Sequence, residues 1–113
     1  MEIHFKTRKL KATCESAKES DRAWGKQRAA VVRRRLVQLA SADDLGVIET
    51  VPPALLHPLK GDRKGQWAVD AVPPFRLIFE IADDPVPLLD DGGVDKSRVT
   101  EIRILEVKDY HGR

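Results

Sequence analysis

The sequence predicts an α+β fold in which two helices pack on one face of a mainly antiparallel, twisted sheet. Helical spacing of apolar residues is confined to the first half of the chain, and segments rich in branched and aromatic residues dominate the second half. Two adjacent helices lying across a sheet would bury the apolar faces of both. At 113 residues, the chain is expected to form a single domain over residues 1–113.

The first half is predicted to contain a short strand over residues 2–5 and helices over 6–20 and 23–40. Apolar residues share one face of each helix, with Leu10, Cys14 and Ala17 in the first and Ala29, Val32, Leu36 and Leu39 in the second. Arg28, Arg34 and Arg35 are predicted to point away from the apolar face. The Ser20-Asp21 pair supplies a break and a capping residue between the two helices.

The second half begins with a short turn or helix over residues 45–51, which Pro52 and Pro53 end. Strands are predicted over residues 67–71, 75–81 and 99–107. Residues 82–98 form an acidic excursion rich in proline and glycine. This excursion is too polar for a core and too long for a tight hairpin.

Charge is distributed unevenly along the chain, whose formal net charge is +2. Residues 1–60 hold 12 lysines and arginines against 7 acidic residues, whereas residues 61–113 hold 8 against 11. Much of the acid lies in the excursion, so the rest of the chain is basic. A basic body favours a polyanionic partner such as RNA, although charge alone fits solvated helices equally well.

Several absences lead us to expect a cytoplasmic protein without a membrane partner. No apolar run approaches the roughly 20 residues that span a bilayer, and none of signal-peptide length follows Met1. The one cysteine, Cys14, cannot form an internal disulfide and is expected to be buried and inert. One cysteine and scattered histidines also argue against a zinc site.

Three separated segments carry the strongest functional signal. They are Leu-His-Pro-Leu-Lys-Gly-Asp-Arg-Lys-Gly-Gln-Trp at 56–67, Pro-Phe-Arg-Leu-Ile-Phe at 74–79, and Val-Lys-Asp-Tyr-His at 107–111. Together and in this order they resemble the HigB-type toxins of the RelE/ParE toxin–antitoxin superfamily, the plasmid maintenance system killer proteins. That family has a His-Pro-Leu-Lys-Gly-Asp stretch before an aromatic residue, an Arg-Leu/Ile-x-Phe strand and a closing Asp-Tyr-His.

The resemblance implies a RelE-like fold and the toxin of a type II toxin–antitoxin module. Such a toxin inhibits translation as an endoribonuclease that cuts mRNA at the ribosome, without a metal or another cofactor. The implied partners are a helix-turn-helix antitoxin of the HigA type, ribosome-bound mRNA and ribosomal RNA. Carried over to this chain, the catalytic set is His57, Arg76, Asp109, Tyr110 and His111. Lys60 and Arg63 would join Arg76 in binding phosphate.

The chemistry needs residues of these types. In metal-free RNA cleavage the 2′-hydroxyl attacks the adjacent phosphate, so one group removes a proton and another protonates the leaving oxygen. Histidine suits both tasks, and His57 and His111 form a candidate pair. The base could be His111 or Asp109, with His57 as the acid, or Asp109 could only orient an imidazole. Arg76 would stabilise the transition state, and Tyr110 would stack on a base or donate a hydrogen bond.

Two other functions fit the same superfamily. A ParE-like toxin inhibits gyrase without cutting RNA, but such chains lack the paired His-Pro-Leu-Lys-Gly and Asp-Tyr-His segments. A non-catalytic interaction or killer-suppression protein would keep only the fold. The acidic excursion bears on this choice, because it would repel phosphate if it lay beside an RNA site.

Overall fold

The computed structural model describes residues 1–109, so Tyr110 and His111 lie outside the described residues. The helices are α1 (Arg8–Glu15), α2 (Ala17–Trp24), α3 (Lys26–Ser41) and α4 (Leu45–Ile48). The strands are β1 (Glu2–Phe5), β2 (His57–Pro58), β3 (Gln66–Asp70), β4 (Phe75–Ile81) and β5 (Glu101–Asp109). They form one sheet in the order β1-β5-β4-β3-β2, in which only the β1–β5 pair is parallel. The predicted α+β architecture with a mainly antiparallel sheet is therefore confirmed.

The first predicted helix is divided in two at Ser16. This residue has extended backbone angles and ends α1, and its hydroxyl accepts a hydrogen bond from the Glu19 amide of α2 at 3.1 Å. The run from Ser16 to Glu19 has the spacing of a capping box, a signal for a new helix. The prediction of one continuous helix over 6–20 was wrong because it followed apolar spacing and overlooked this cap. The predicted break at Ser20-Asp21 was also wrong: both residues lie inside α2, and Gly25, with a φ of 85°, separates α2 from α3.

Helix α3 supplies the helical side of the core, with one deviation from the predicted pattern. Ala29, Val32 and Leu39 are buried as expected, but so is Arg35, which is only 5% exposed. The Arg35 guanidinium donates to the backbone oxygens of Asp70 at 2.7 Å and Pro53 at 3.2 Å. The prediction that Arg35 points away from the buried side was therefore wrong.

The strands alternate between the two faces of the sheet. One face packs on α3 and forms the hydrophobic core; its strand residues are Trp67, Val69, Phe75, Leu77, Phe79, Ile102 and Ile104. We call the opposite side, which points away from this core, the open face. By strand register it carries His4, His57, Gln66, Ala68, Asp70, Arg76, Ile78, Glu80, Arg103, Glu106 and Lys108.

Two features of the sheet were not predicted. Strand β2 is an edge strand of two residues, too short to show alternation, and it includes His57. Strand β5 lies two residues later than predicted and continues to Asp109, with a register shift opposite Ile78 and Phe79. Strands β3 and β4 lie within one residue of their predicted bounds.

The acidic excursion connects the end of β4 to the start of β5 and is held by its own hydrogen bonds. It contains a bridge between Leu88 and Val94 and a 3₁₀ turn at Lys96–Arg98. Asp83 accepts hydrogen bonds from the Thr100 amide and hydroxyl and from the Glu101 amide, at 3.0–3.2 Å. These hydrogen bonds join the start of the excursion to the residues that follow its end. Within residues 1–109, no helix is long and apolar enough to cross a membrane.

Candidate functional site

Arg76 lies in a charged row across the open face, at one end of the antiparallel strands. Asp70 of β3 pairs with Arg76 of β4, which pairs with Lys108 of β5. Because directly paired residues point to the same side, the three side chains share the open face. Arg76 Nε lies 3.3 Å from Asp70 Oδ1, with the Arg76 side chain 34% exposed and that of Asp70 only 9% exposed.

His57 lies on the same face, in the neighbouring row. This row runs from His57 through the fully buried Ala68 and Ile78 to Glu106. With about 4.8 Å between strands and about 3.4 Å per residue along a strand, the Cα atoms of His57 and Arg76 lie roughly 12 Å apart. Two extended side chains can span most of that distance, so both could contact one phosphodiester.

The His57 ring is oriented by a nearby backbone carbonyl. Its Nδ1 lies 2.7 Å from the Leu55 oxygen, and a carbonyl oxygen can only accept a hydrogen bond. Nδ1 therefore carries the proton, and in the neutral ring Nε2 is the acceptor. The Leu55 backbone that presents this oxygen has a φ of 47°, a left-handed conformation that is costly for a bulky residue such as leucine. Such strain often accompanies functional sites.

Arg63 reaches the open face from the connection between β2 and β3. Its Nη2 donates to Glu106 Oε2 at 2.6 Å and its Nη1 to Gln66 Oε1 at 2.7 Å. Glu106 lies two residues from Lys108 on the same strand face, so the Arg63 guanidinium lies next to the row of Arg76. The structure therefore brings together three of the predicted residues: His57, Arg63 and Arg76.

Lys60 is not brought to this row. The Leu59 amide donates to the Gln66 oxygen, which places Lys60 near the start of β3, whereas the row of Arg76 lies at its end. The separation along the strand is roughly 17 Å for five residues. Lys60 instead lines a hollow of about 460 Å³ together with Lys64, Trp67 and Val94 of the acidic excursion.

Asp109 ends β5 opposite Phe75, a residue of the core face. Strand alternation therefore directs Asp109 to the other side of the sheet from Arg76. Tyr110 and His111 lie outside the described residues. A catalytic role for Asp109, Tyr110 and His111 stays a prediction.

The sequence reasoning overlooked Asp70 and Lys108, which flank Arg76. Neither belongs to the family pattern, and each becomes visible only when the register of three strands is known. The alternating charges at positions 106 and 108 of β5 were a usable signal for a polar strand face.

A second polar cluster lies at the β1 edge. His4 Nε2 is 3.0 Å from Glu101 Oε1 and 3.6 Å from Glu2 Oε2. Within residues 1–109 this is the one trio of side chains that could approach a metal ion together. The short distance is that of a hydrogen bond between two partly exposed side chains, which accounts for the trio without an ion.

No protein-family model matches the chain, and no curated protein matches it. Among solved structures, the chain is similar to the YoeB/ParE toxin from Agrobacterium tumefaciens. The TM-score is 0.52 at 13% sequence identity, and the match covers 98% of this chain and 100% of that chain. At this identity the likeness shows the fold, so the expectation of a RelE/ParE-like fold is confirmed. The narrower HigB-type assignment stays a prediction.

Proposed function

We propose that this protein is the toxin of a type II toxin–antitoxin module and acts as a metal-independent endoribonuclease of the HigB type. Its substrate would be mRNA on the ribosome, and a HigA-like helix-turn-helix antitoxin would neutralise it. The observation that carries the proposal is that His57, Arg63, Arg76 and Lys108 lie together on the open face of a YoeB/ParE-like fold.

This arrangement suits the cleavage of RNA by its own 2′-hydroxyl. The 2′-oxygen forms a bond to the adjacent phosphorus, and the bond from phosphorus to the 5′-oxygen breaks. The Arg76 guanidinium and the Lys108 ammonium would offset the negative charge that develops on the phosphate. The products would be a 2′,3′-cyclic phosphate and a 5′-hydroxyl.

His57 can take either proton-transfer role in this reaction. Its neutral ring presents Nε2 as an acceptor, and its protonated ring presents Nε2 as a donor, while Nδ1 stays on the Leu55 oxygen in both. As the acid it would protonate the leaving 5′-oxygen, with His111 removing the 2′-proton, because strand register directs Asp109 to the other side of the sheet. The acidic excursion leaves β4 at Ile81, the opposite end from Arg76, so its charge does not oppose phosphate binding by Arg76.

The test is cleavage of ribosome-bound mRNA by the purified protein in the presence of EDTA. We expect cutting with cyclic phosphate ends, and a loss of about 10²–10⁴-fold for His57→Ala. His4→Ala is the matched control, since His4 is also a partly exposed strand histidine on the open face but lies on β1. Equal cleavage by His57→Ala and the parent would refute the site.

The two alternatives give different results in parallel assays. Inhibition of DNA supercoiling without RNA cleavage would identify a ParE-like gyrase inhibitor. Harmless expression of the protein without any partner, again without cleavage, would identify a non-catalytic interaction module.

A further inference from the structure

We propose that Asp70 is a positioning residue that holds the Arg76 guanidinium toward a phosphate on the open face. The inference deepens the proposed function and rests on it. Asp70 does not belong to the family pattern, and its carboxylate has an unusual environment.

Asp70 is a buried acidic residue in an unfavourable setting. The residue is 6% exposed, and its Oδ1 has no hydrogen-bond partner among residues 1–109. Its contact with Arg76 Nε at 3.3 Å is an ion pair without the alignment of a hydrogen bond. Burying a carboxylate is costly unless a charge compensates it, and here Arg76 beside Asp70 supplies that charge, with the buried Arg35 guanidinium also interacting favourably with it.

The contact defines what Asp70 can do for Arg76. It engages Nε, the donor nearest the aliphatic stem, on the β3 side of the guanidinium. The two Nη groups lie at the far end of the fork, which is the geometry for bidentate phosphate binding. A buried partner at Nε therefore limits rotation of the guanidinium before a phosphate arrives, which lowers the entropic cost of aligning it with the charge that develops in the transition state.

The backbone of Asp70 is itself held from the opposite side of the sheet. Arg35 of α3 donates to the Asp70 oxygen and to the oxygen of Pro53, four residues before His57. One buried guanidinium thus ties the strand that carries Asp70 to the segment that leads to His57. The backbone that carries the Asp70 side chain is therefore held in place, as a positioning residue requires.

The test is a double-mutant cycle with Asp70→Asn and Arg76→Gln. It is read in kcat for mRNA cleavage and in affinity for an uncleavable 2′-deoxy-substituted RNA analogue. We expect Asp70→Asn to lower kcat about tenfold with a smaller change in KM. We also expect it to have no further effect on kcat or on analogue affinity once Arg76 is replaced. The matched control is Glu80→Gln, which removes the carboxylate from the Glu80–Arg103 pair on the same face.

A second measurement is independent of activity. The ¹⁵N–¹H signal of Arg76 Nε should move in Asp70→Asn and stay in place in Glu80→Gln. An unmoved signal would overturn the pairing. If Asp70→Asn lowers kcat equally whether residue 76 is arginine or glutamine, Asp70 does not act by positioning Arg76. A parent that binds the analogue without cutting RNA would refute the nuclease, and the binding cycle would then decide the inference alone.

Discussion

The two ends of strands β4 and β5 differ in charge and in how they are held. The end with Arg76 and Lys108 is cationic because these two residues and the buried Arg35 together outnumber the carboxylates of Asp70 and Asp109. Arg35 holds this end from the core side of the sheet. The opposite end carries the acidic excursion and is held from outside by the exposed hydrogen bonds of Asp83. The cationic end therefore depends on a buried donor whose loss should be costly. The acidic end depends on a surface carboxylate that acid can neutralise.

The largest expected effect comes from replacing the buried Arg35. Arg35→Met should lower the free energy of unfolding by about 2–3 kcal/mol, because the oxygens of Asp70 and Pro53 lose a charged donor. Burial, with Arg34 adding to it, lowers the pKa of Arg35, while Asp70 opposes that shift. Urea denaturation measures the change. The matched control is Arg34→Met, an exposed neighbour on the same helix, which should change stability by less than about 0.5 kcal/mol.

Equal losses in Arg35→Met and Arg34→Met would remove the contrast between the two ends. The two ends would then differ in charge alone and not in the way in which they are held.

A smaller effect is expected from removing one cation at the Arg76 end. Lys108→Gln should weaken the binding of single-stranded RNA several-fold and lower the salt slope of log affinity by about 0.7, the value for one phosphate contact. Lys64→Gln makes the same charge change in the loop near the acidic excursion and should leave the slope unchanged. Fluorescence anisotropy from 50 to 200 mM salt measures both. Equal slopes for the two variants would show that RNA does not distinguish the ends.

The smallest and most local effect concerns pH at the acidic end. Burial would raise the pKa of Asp83, but hydrogen bonds from Glu101 and Thr100 outweigh it and hold the pKa below its ordinary value of 3.8. A carboxyl group with a depressed folded-state pKa stabilises fully above its unfolded pKa, and this contribution disappears as the pH falls through the folded value. Hydrogen exchange of the Thr100 and Glu101 amides should therefore lose protection below about pH 3.8.

Asp83→Asn provides the control for this titration. Its protection at these amides should be lower at neutral pH and should not respond to acid over the same range. Protection in the parent that persists to pH 2 would show that backbone pairing, rather than the carboxylate, holds the excursion.

Much of the fold was predictable from local patterns, and the misses have identifiable causes. Strand β4 matched its prediction because a run of aromatic and branched residues between turn signals has few other solutions. The split at Ser16 was overlooked because apolar spacing continues across it. Arg35 was misplaced because a charged residue is normally solvated, and only the backbone oxygens brought to it by the fold make its burial possible.

The candidate site was also predictable only in part. The motifs selected His57, Arg63 and Arg76. Sheet register places His57 and Arg76 on the open face, and Arg63 reaches it through its hydrogen bonds to Gln66 and Glu106. Lys60 belongs to the same sequence motif as His57, yet it lies near the start of β3 beside the excursion. Three residues along an extended chain cover about 10 Å, so closeness in sequence did not ensure a shared site.

By itself, the sequence determined the class of fold, the order of its main elements and the residue types suited to metal-free RNA cleavage, because periodicity and side-chain chemistry are local properties. Tertiary structure alone decided that Asp70 and Lys108 flank Arg76 and that Asp109 faces the core side. Each of these follows from strand register and sheet order, which depend on pairings between residues far apart in the chain.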